Sequence, residues 1–471
     1  MACALKWKAQ TMTTNTVQAI DQNQSSPGLL ARRDIPKPAH PEITGRELSE
    51  LLAPISPEVF EKEYWGRKPL FIKGGVEKLE RILPGGFGLE DFFRGTREAE
   101  SQQAPEFQLC ARTSCAETDH WTYIRSEEID KWFADGANIA SVNLSDPRVV
   151  TLAAALKTQL KLAGEIHFGL ALSPEGNGWP VHVDHSDAIS LQCRGRKKFV
   201  YSEEPRLAWP RGSISIASDG SPEAFNYNPL PWEEEMRVET GELHEVVLEP
   251  GDVFYFPAGI LHTTKSLSSS SLTLNFALNH PSFFDVVMNL VRNRLLSNPD
   301  WRHLPVVEAS SLQPGKLPQE MAEFFAARLK ELSREIESLE PAGLALNREW
   351  QKLLAEPGEH ISVRLAMNAE SVESGAVERQ DVLRPTLRGV TSYAVGVEED
   401  GSTAIYLYMG RREVSLYNEW VPFIRTMFQQ ESFVAEVATQ WADGAKPYPW
   451  ETTQEYLQIL LSEGFLERVT V

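Results

Sequence analysis

Between residues 163 and 280 the chain breaks into short apolar runs, and this pattern narrows the available folds more than any other feature of the sequence. GEIHFGLALS, AISLQC, KKFVYS, HEVVLE, DVFYFP and SLTLNFAL are each rich in branched and aromatic residues, with Gly, Pro, Asn and Ser between them. Runs of this length with turn residues at their ends read as strands. Many short strands with turn-rich connections predict an antiparallel barrel or jelly roll.

The flanks follow other periods. Residues 1–42 are polar, with no apolar core of signal-peptide length, and predict a disordered leader. Ser56 before Pro57 is a helix start, a cap followed by a first-turn proline. Phe60, Tyr64 and Trp65 recur at helical spacing, and Pro69–Ile72 reads as a short buried strand. After the β region, Phe283, Val286, Val287, Leu290 and Val291 fall at i, i+3, i+4, i+7 and i+8, and Met321, Phe324, Phe325, Leu329 and Leu332 repeat the pattern. These repeats predict a helical module over 282–358. From 359 to 471, AIYLYMG and REVSLY suggest a small hairpin beside the helical runs WVPFIRTMF and TQEYLQILLSEGFLERV, which predicts a winged-helix-like tail. The chain as a whole is therefore α+β. Its 471 residues exceed one ordinary domain, which agrees with boundaries at 43–281, 282–358 and 359–471.

Composition removes several function classes. No run of about 18 uncharged apolar residues occurs, so no transmembrane helix is expected. A formal charge of −20 argues against nucleic acid as the main ligand, because phosphate binding needs a basic face. It suits a basic protein or peptide substrate. The basic pair Arg411-Arg412 sits among acidic residues, so the tail is read as a packing or protein-contact module rather than a DNA reader. Cys3, Cys110, Cys115 and Cys193 form no Cys-x-x-Cys pair, which fits a reducing cytoplasm, with Cys193 a small buried residue in a strand.

Chemistry concentrates in WPVHVDHSDAISLQCRGRKKFV, residues 179–200. His182 and Asp184 are two apart, so in a strand both side chains leave the same face. An imidazole and a carboxylate placed that way can occupy two adjacent positions on a metal. A second histidine would complete a two-His, one-carboxylate facial triad that leaves sites open on iron(II). His262, in LEPGDVFYFPAGILH, is the candidate. Glu249–Asp252 reads as a turn, Val253–Phe256 as a strand and Pro257–Gly259 as a second turn that delivers His262 to the next strand. His185, one place past Asp184, should face the other way and serve outside the ligand set. The remaining histidines, His167 and His360 among them, receive no role.

These two segments resemble the JmjC-type, cupin-like oxygenases, most closely the ribosomal-oxygenase group. That group shares a Pro-His-x-Asp…Leu-Gln-x-x-Gly-Arg/Glu-Lys/Arg motif and a Pro-Gly-Asp…Pro-x-Gly-x-x-His motif. Tyr64-Trp-Gly-Arg-Lys-Pro-Leu70 is similar to a segment near the family's N-terminus. One departure is Val181 before His182, where the family usually carries proline. The resemblance spans about residues 45–471 and is looser in the last hundred. It implies a double-stranded β-helix, a helical dimerisation module and a winged helix. It also implies Fe(II) at His182, Asp184 and His262, with 2-oxoglutarate as cosubstrate and a homodimer. The substrate would be a protein or peptide side chain, in a ribosomal protein or a small peptide, that becomes hydroxylated. Lys197 matches the basic residue that pairs with the far carboxylate of 2-oxoglutarate, and strand alternation turns it inward, away from Arg196 and Lys198. Thr273 and Asn275 share one face of SLTLNFAL and are candidate polar contacts to cosubstrate or substrate. Two other readings stay open: a cupin metalloenzyme without 2-oxoglutarate, which would not need Lys197, and a non-catalytic interaction protein, which would tolerate loss of Asp184.

Overall fold

The computed structural model describes residues 43–469 apart from 105, 116–117, 217–219, 226–235, 310–311, 341–342, 359, 362–374, 387–390, 399–400, 411, 443 and 445. The leader, and with it Cys3 and His40, lies outside the described residues, as does Arg411 of the basic pair.

The six runs that dominate the sequence are all strands. They belong to a series comprising β1 (Leu70–Ile72), β2 (Gln108–Cys115), β3 (Thr118–Tyr123), β4 (Asn138–Val142), β5 (Ile166–Pro174), β6 (Val181–Val183) and β7 (Asp187–Arg194), continued by β8 (Lys197–Tyr201), β9 (Ser213–Ile216), β10 (Pro222–Phe225), β11 (His244–Leu248), β12 (Val253–Phe256), β13 (Leu261–Ser266) and β14 (Ser270–Leu278). Eight form one sheet in the order β1-β12-β7-β14-β5-β4-β2-β3, and six form a second in the order β10-β9-β6-β13-β8-β11. Every pairing is antiparallel. This is the double-stranded β-helix of a cupin, in an α+β chain. The sequence runs had not placed β2, β3 and β4 in the large sheet.

Alternation in the large sheet separates two interiors. Ile189, Leu191 and Cys193 of β7, with Leu272, Leu274 and Phe276 of β14, point outward into the main core with Phe60, Phe92, Leu152 and Leu156 of the preceding helices. Burial pushes the Cys193 thiol up to about 12, so it behaves as an apolar filler. The opposite face carries Ala188, Ser190, Gln192, Thr273 and Asn275 toward the barrel lumen, a polar lining on an otherwise apolar sheet. Ser56 accepts a hydrogen bond from Val59 N with Pro57 in the first turn, as its sequence predicts. That helix, Pro57–Glu63, stops short of Trp65, and the chain then turns at Gly66, whose φ of +63° suits glycine. Tyr64 and Trp65 therefore follow the helix and pack against the core.

Beyond the barrel, helices Phe283–Ser297, Gln319–Glu337 and Leu344–Ala355 occupy the stretch with helical period. The third lies on a three-stranded meander, Thr391–Val397, Thr403–Met409 and Arg412–Tyr417, where the expected hairpin gains a strand. Arg348 stacks 3.7 Å above the Tyr406 ring and donates to Tyr408 Oη. A second three-stranded sheet, with helices Val421–Met427 and Trp450–Ser462, encloses a core around Phe423, Leu457 and Phe465. Among the described residues no helix is long and apolar enough to cross a membrane.

One buried cation joins the barrel to the helices beyond it. Lys157, in helix Pro147–Gln159, is fully buried and donates to the carbonyls of Leu162, Gly164 and Leu353. The third carbonyl belongs to helix Leu344–Ala355, so a single ammonium ties two layers of the molecule. Three carbonyl dipoles replace its lost water, although burial still lowers its pKa to about 7. Lys157→Met keeps the side chain's bulk but strands three acceptors, and an unpaired buried acceptor costs about 1–3 kcal/mol. The variant is expected to lose at least about 2 kcal/mol in urea unfolding; an unchanged midpoint would remove Lys157 as a tie.

Candidate metal centre

The site begins with a register. β6 pairs with β13 so that Val183 lies opposite Leu261 and His182 opposite His262. Paired residues of an antiparallel ladder project to the same side. The two imidazoles therefore stand together in the lumen, with ring centroids 4.0 Å apart. Asp184, two residues after His182, brings Oδ2 to 3.6 Å from His182 Nε2 and 3.7 Å from His262 Nε2.

Backbone contacts set the tautomers. His182 Nδ1 lies 2.8 Å from Pro180 O, and His262 Nδ1 lies 3.0 Å from Ile260 O. A carbonyl can only accept, so each Nδ1 carries a proton, and the neutral form of each ring turns an Nε2 lone pair inward. Burial, followed by the charge of His182, pushes the His262 imidazole down to about 3, so it is neutral at physiological pH. Burial opposes ionisation of Asp184, but His182, His262 and a 3.0 Å hydrogen bond from Ser213 Oγ outweigh it and hold the carboxyl below its ordinary range. Two nitrogen lone pairs and a carboxylate oxygen thus face one point, an arrangement that a cation relieves. Among the described residues, their atoms form one of two groups spaced to hold a metal ion.

The turn that delivers His262 is held by Gly259, which the sequence pattern already places in it, and by Asp187 and Tyr255, to which the pattern assigns no role. Gly259 N donates to Asp184 O at 2.8 Å. Gly259 sits at φ +80°, and a Cβ there would come within 1.9 Å of Leu207 O, so only glycine fits. Asp187, 2% exposed, accepts from Ala258 N at 2.9 Å and from Tyr255 Oη at 2.8 Å. Tyr255 Oη in turn accepts from Gly66 N at 2.7 Å, and its ring packs against Phe60 and Trp65. The Tyr-Trp-Gly segment near residue 65 thus reaches the metal-facing turn through one tyrosine and one aspartate. His185 Nδ1 lies 3.2 Å from Ser213 Oγ, the hydroxyl that donates to Asp184, so His185 sits behind the carboxylate and outside the group of converging ligand atoms.

Lys197 is 1% exposed and faces the same lumen, while Arg196 and Lys198 lie outside with glutamate partners at 3.5 and 2.9 Å. β8 pairs with β13 from His262↔Tyr201 to Ser266↔Lys197, so Lys197 lies four residues along the strand from His262, roughly 13 Å of backbone. Burial pushes its ammonium down to about 7. Among the described residues no hydrogen-bond or ion-pair partner meets its Nζ. Phe199, Phe254 and Phe256 form the apolar wall, and the Phe256 ring lies 4.4 Å from that of His262. Thr273 Oγ1 donates to Gln192 Oε1 at 2.8 Å, and Asn275 Oδ1 accepts from Ser190 Oγ at 2.7 Å. Both residues face the lumen, each tied to the neighbouring strand.

Residues 156–286 match the family model described as the JmjC domain. The chain is 25% identical over 311 residues to the uncharacterized protein YxbC of Bacillus subtilis, covering 64% of this chain and 90% of that one. It is 28% identical over 255 residues to ribosomal oxygenase 1 of Gallus gallus, covering 51% of this chain and spanning 37% of that protein's length. Among solved structures, the ribosomal oxygenase YcfD from Escherichia coli, in complex with cobalt and 2-oxoglutarate, aligns over 88% of this chain and 99% of its own, with a TM-score of 0.49 and 14% identity.

Hydrogen bonds to a charged group contribute about 1.5–3 kcal/mol each. Tyr255→Phe removes one bond to Asp187 and leaves Ala258 N in place. It is expected to lower unfolding stability by about 1.5–3 kcal/mol and to weaken divalent-metal binding about 10-fold, as loss of groups supporting a ligand does. Metal titration of the folded variant with unchanged affinity would show that the turn holds itself.

Proposed function

From the premise that the chain carries a JmjC domain of the ribosomal-oxygenase group, we propose that it is an Fe(II)- and 2-oxoglutarate-dependent oxygenase that hydroxylates a protein or peptide side chain. The observation that carries the reading is Lys197, an ammonium with no partner among the described residues, buried in the lumen that His182, Asp184 and His262 face. A buried charge needs a partner of opposite sign, and a dicarboxylate that reaches from a metal to the barrel wall provides one. A cupin working without 2-oxoglutarate has no use for Lys197, and a scaffold has no use for three converging acceptor atoms.

His182, Asp184 and His262 would hold the metal through one face, with nitrogen and carboxylate donors that suit Fe(II). When bound, the metal and cosubstrate would supply the oxidising chemistry for a substrate C–H bond. The chain's own part is placement. Pro180 O and Ile260 O keep both imidazoles in the ligating tautomer. Ser213 orients Asp184. Lys197 binds the far carboxylate, and Phe199, Phe254 and Phe256 keep water from the lumen. Thr273 and Asn275 line the same space from the facing strand. A chain of net charge −20 suits a basic ribosomal protein or peptide as substrate.

We further propose that the chain is a homodimer built through residues 282–358, with residues 359–471 as a winged-helix-like packing module and 43–281 as the catalytic domain. Phe283 and Phe284 are 83% and 67% exposed at the start of their helix, and Leu329 is 63% exposed in the next. Apolar side chains presented on two neighbouring helices suit a self-complementary interface. Sedimentation should give a dimer that Leu329→Glu splits into monomers; a monomeric wild type would refute it.

The first test is anaerobic titration with Fe(II) and then 2-oxoglutarate, following the visible metal-to-ligand charge-transfer band. The wild type is expected to develop the band and Asp184→Ala to lack it. Lys197→Ala should need on the order of 100-fold more 2-oxoglutarate, the loss of one charge-assisted contact. Because burial lowers the Lys197 pKa to about 7, the free site loses its proton above that pH, while the bound carboxylate needs the ammonium. Affinity is therefore expected to fall as pH rises from 7 to 9, by up to about 10-fold per unit, and this slope should vanish in Lys197→Ala. A band that ignores Lys197 would point to a different cupin chemistry.

A further inference from the structure

A second cluster with the same donor types lies outside the site just described. Glu106, His167 and His360 come from three distant parts of the chain, and their ligand atoms lie within 4.8 Å of one another. Glu106 precedes β2, His167 is in β5, and His360 comes after helix Leu344–Ala355. His360 is fully buried, and its Nδ1 lies 2.8 Å from Glu106 Oε2. His167 Nδ1 lies 3.8 Å from the same oxygen, and the two imidazoles stack with centroids 4.9 Å apart. One carboxylate oxygen thus sits at the Nδ1 edge of both rings.

The surroundings of His167 match those of a metal-bound histidine. Its Nε2 lies 3.3 Å from Glu165 Oε2, and a carboxylate at one ring nitrogen keeps the proton there and leaves the other nitrogen as a lone pair. That lone pair, on Nδ1, faces Glu106. Asn143 Nδ2 approaches it at 3.3 Å and also reaches Glu106 O at 3.4 Å, while its Oδ1 accepts from Phe168 N at 3.3 Å. Asn143 therefore links the histidine strand to Glu106, and an ion at Nδ1 would displace its hydrogen bond to that lone pair. Glu106 and His167 reach solvent, which gives an ion a way in and water to complete its shell.

We propose that Glu106, His167 and His360 form a second divalent-cation site, for a zinc-class ion bound through two imidazole Nδ1 atoms and one carboxylate. Nitrogen donors select zinc, cobalt or nickel over magnesium or calcium. Ligand atoms about 2.0–2.1 Å from a tetrahedral zinc stand roughly 3.3–3.5 Å apart, so the 2.8 and 3.8 Å separations bracket the required geometry. Binding would replace the proton between His360 and Glu106 by the cation. The ion would join β5, the approach to β2 and the segment after residue 355, reinforcing the junction where Ile166 N donates to Pro357 O and Lys157 donates to Leu353 O.

The inference stands apart from the oxygenase reading, and the experiment keeps them separate. In the full chain, His182→Ala with Asp184→Ala disables the first site, and the stripped protein is titrated with Zn(II) against a chromophoric chelator. The proposal expects two equivalents bound by wild type, one by this double variant, and a melting temperature in the double variant that rises on adding Zn(II). Adding Glu106→Gln, or His167→Gln, should weaken the remaining equivalent at least 10-fold and abolish the thermal shift. Both positions are partly exposed, so folding is expected to survive where a change at buried His360 could end it. A folded double variant that binds no Zn(II), or a remaining equivalent indifferent to Glu106→Gln and His167→Gln, overturns the proposal and leaves the cluster as a proton-bridged packing contact.

Discussion

The pairing of β6 with β13 is the constraint on which the rest of the centre depends. A strand three residues long at the barrel mouth holds His182 opposite His262, and a slip of one residue would turn every side chain on it to the other face. Two devices hold that register. Gly259 N bonds to Asp184 O directly across the turn. Asp187 grips Ala258 N and, through Tyr255, the backbone at Gly66. The segment around Tyr64 to Leu70 therefore bears on the chemistry although it supplies no side chain to the lumen.

The barrel separates its two jobs by strand alternation. Outward residues of β7 and β14 are apolar and bind the sheet to its helices, while inward ones are small or polar. That inner lining would be costly in a closed core, and each polar group has found a neighbour: Ser190 with Asn275, and Gln192 with Thr273 and Ser271. Lys197 differs, since among the described residues its ammonium meets none. Lys157 makes the comparison direct. It is buried to the same degree, in helix Pro147–Gln159, but three carbonyls receive it. One lysine is a structural tie, and the other is the residue proposed to pair with the cosubstrate's far carboxylate.

Much of this was legible in one dimension. Period-2 runs bounded by turn residues are a local signal, so the six strand segments and their order could be read directly. His182 and Asp184 could be placed on one face because strand side chains repeat every two residues, and Lys197 could be turned inward by the same rule. The turns at Glu249–Asp252 and Pro257–Gly259 were visible because glycine and proline report backbone geometry locally. The helix that stops at Glu63 is shorter than its apolar spacing suggests, since Phe60, Tyr64 and Trp65 share a core without sharing a helix.

What the sequence by itself determined is therefore local: strand, turn and helix cap, and which residues of one strand share a face. Only the tertiary structure decided the partnerships, because register between strands is a property of two segments and is written in neither alone. It set His262 against His182 and drew β2, β3 and β4 into the large sheet. It gave Asp187 and Tyr255 their grip on the turn. It also brought Glu106, His167 and His360 together from positions up to 254 residues apart, a separation at which no periodicity survives.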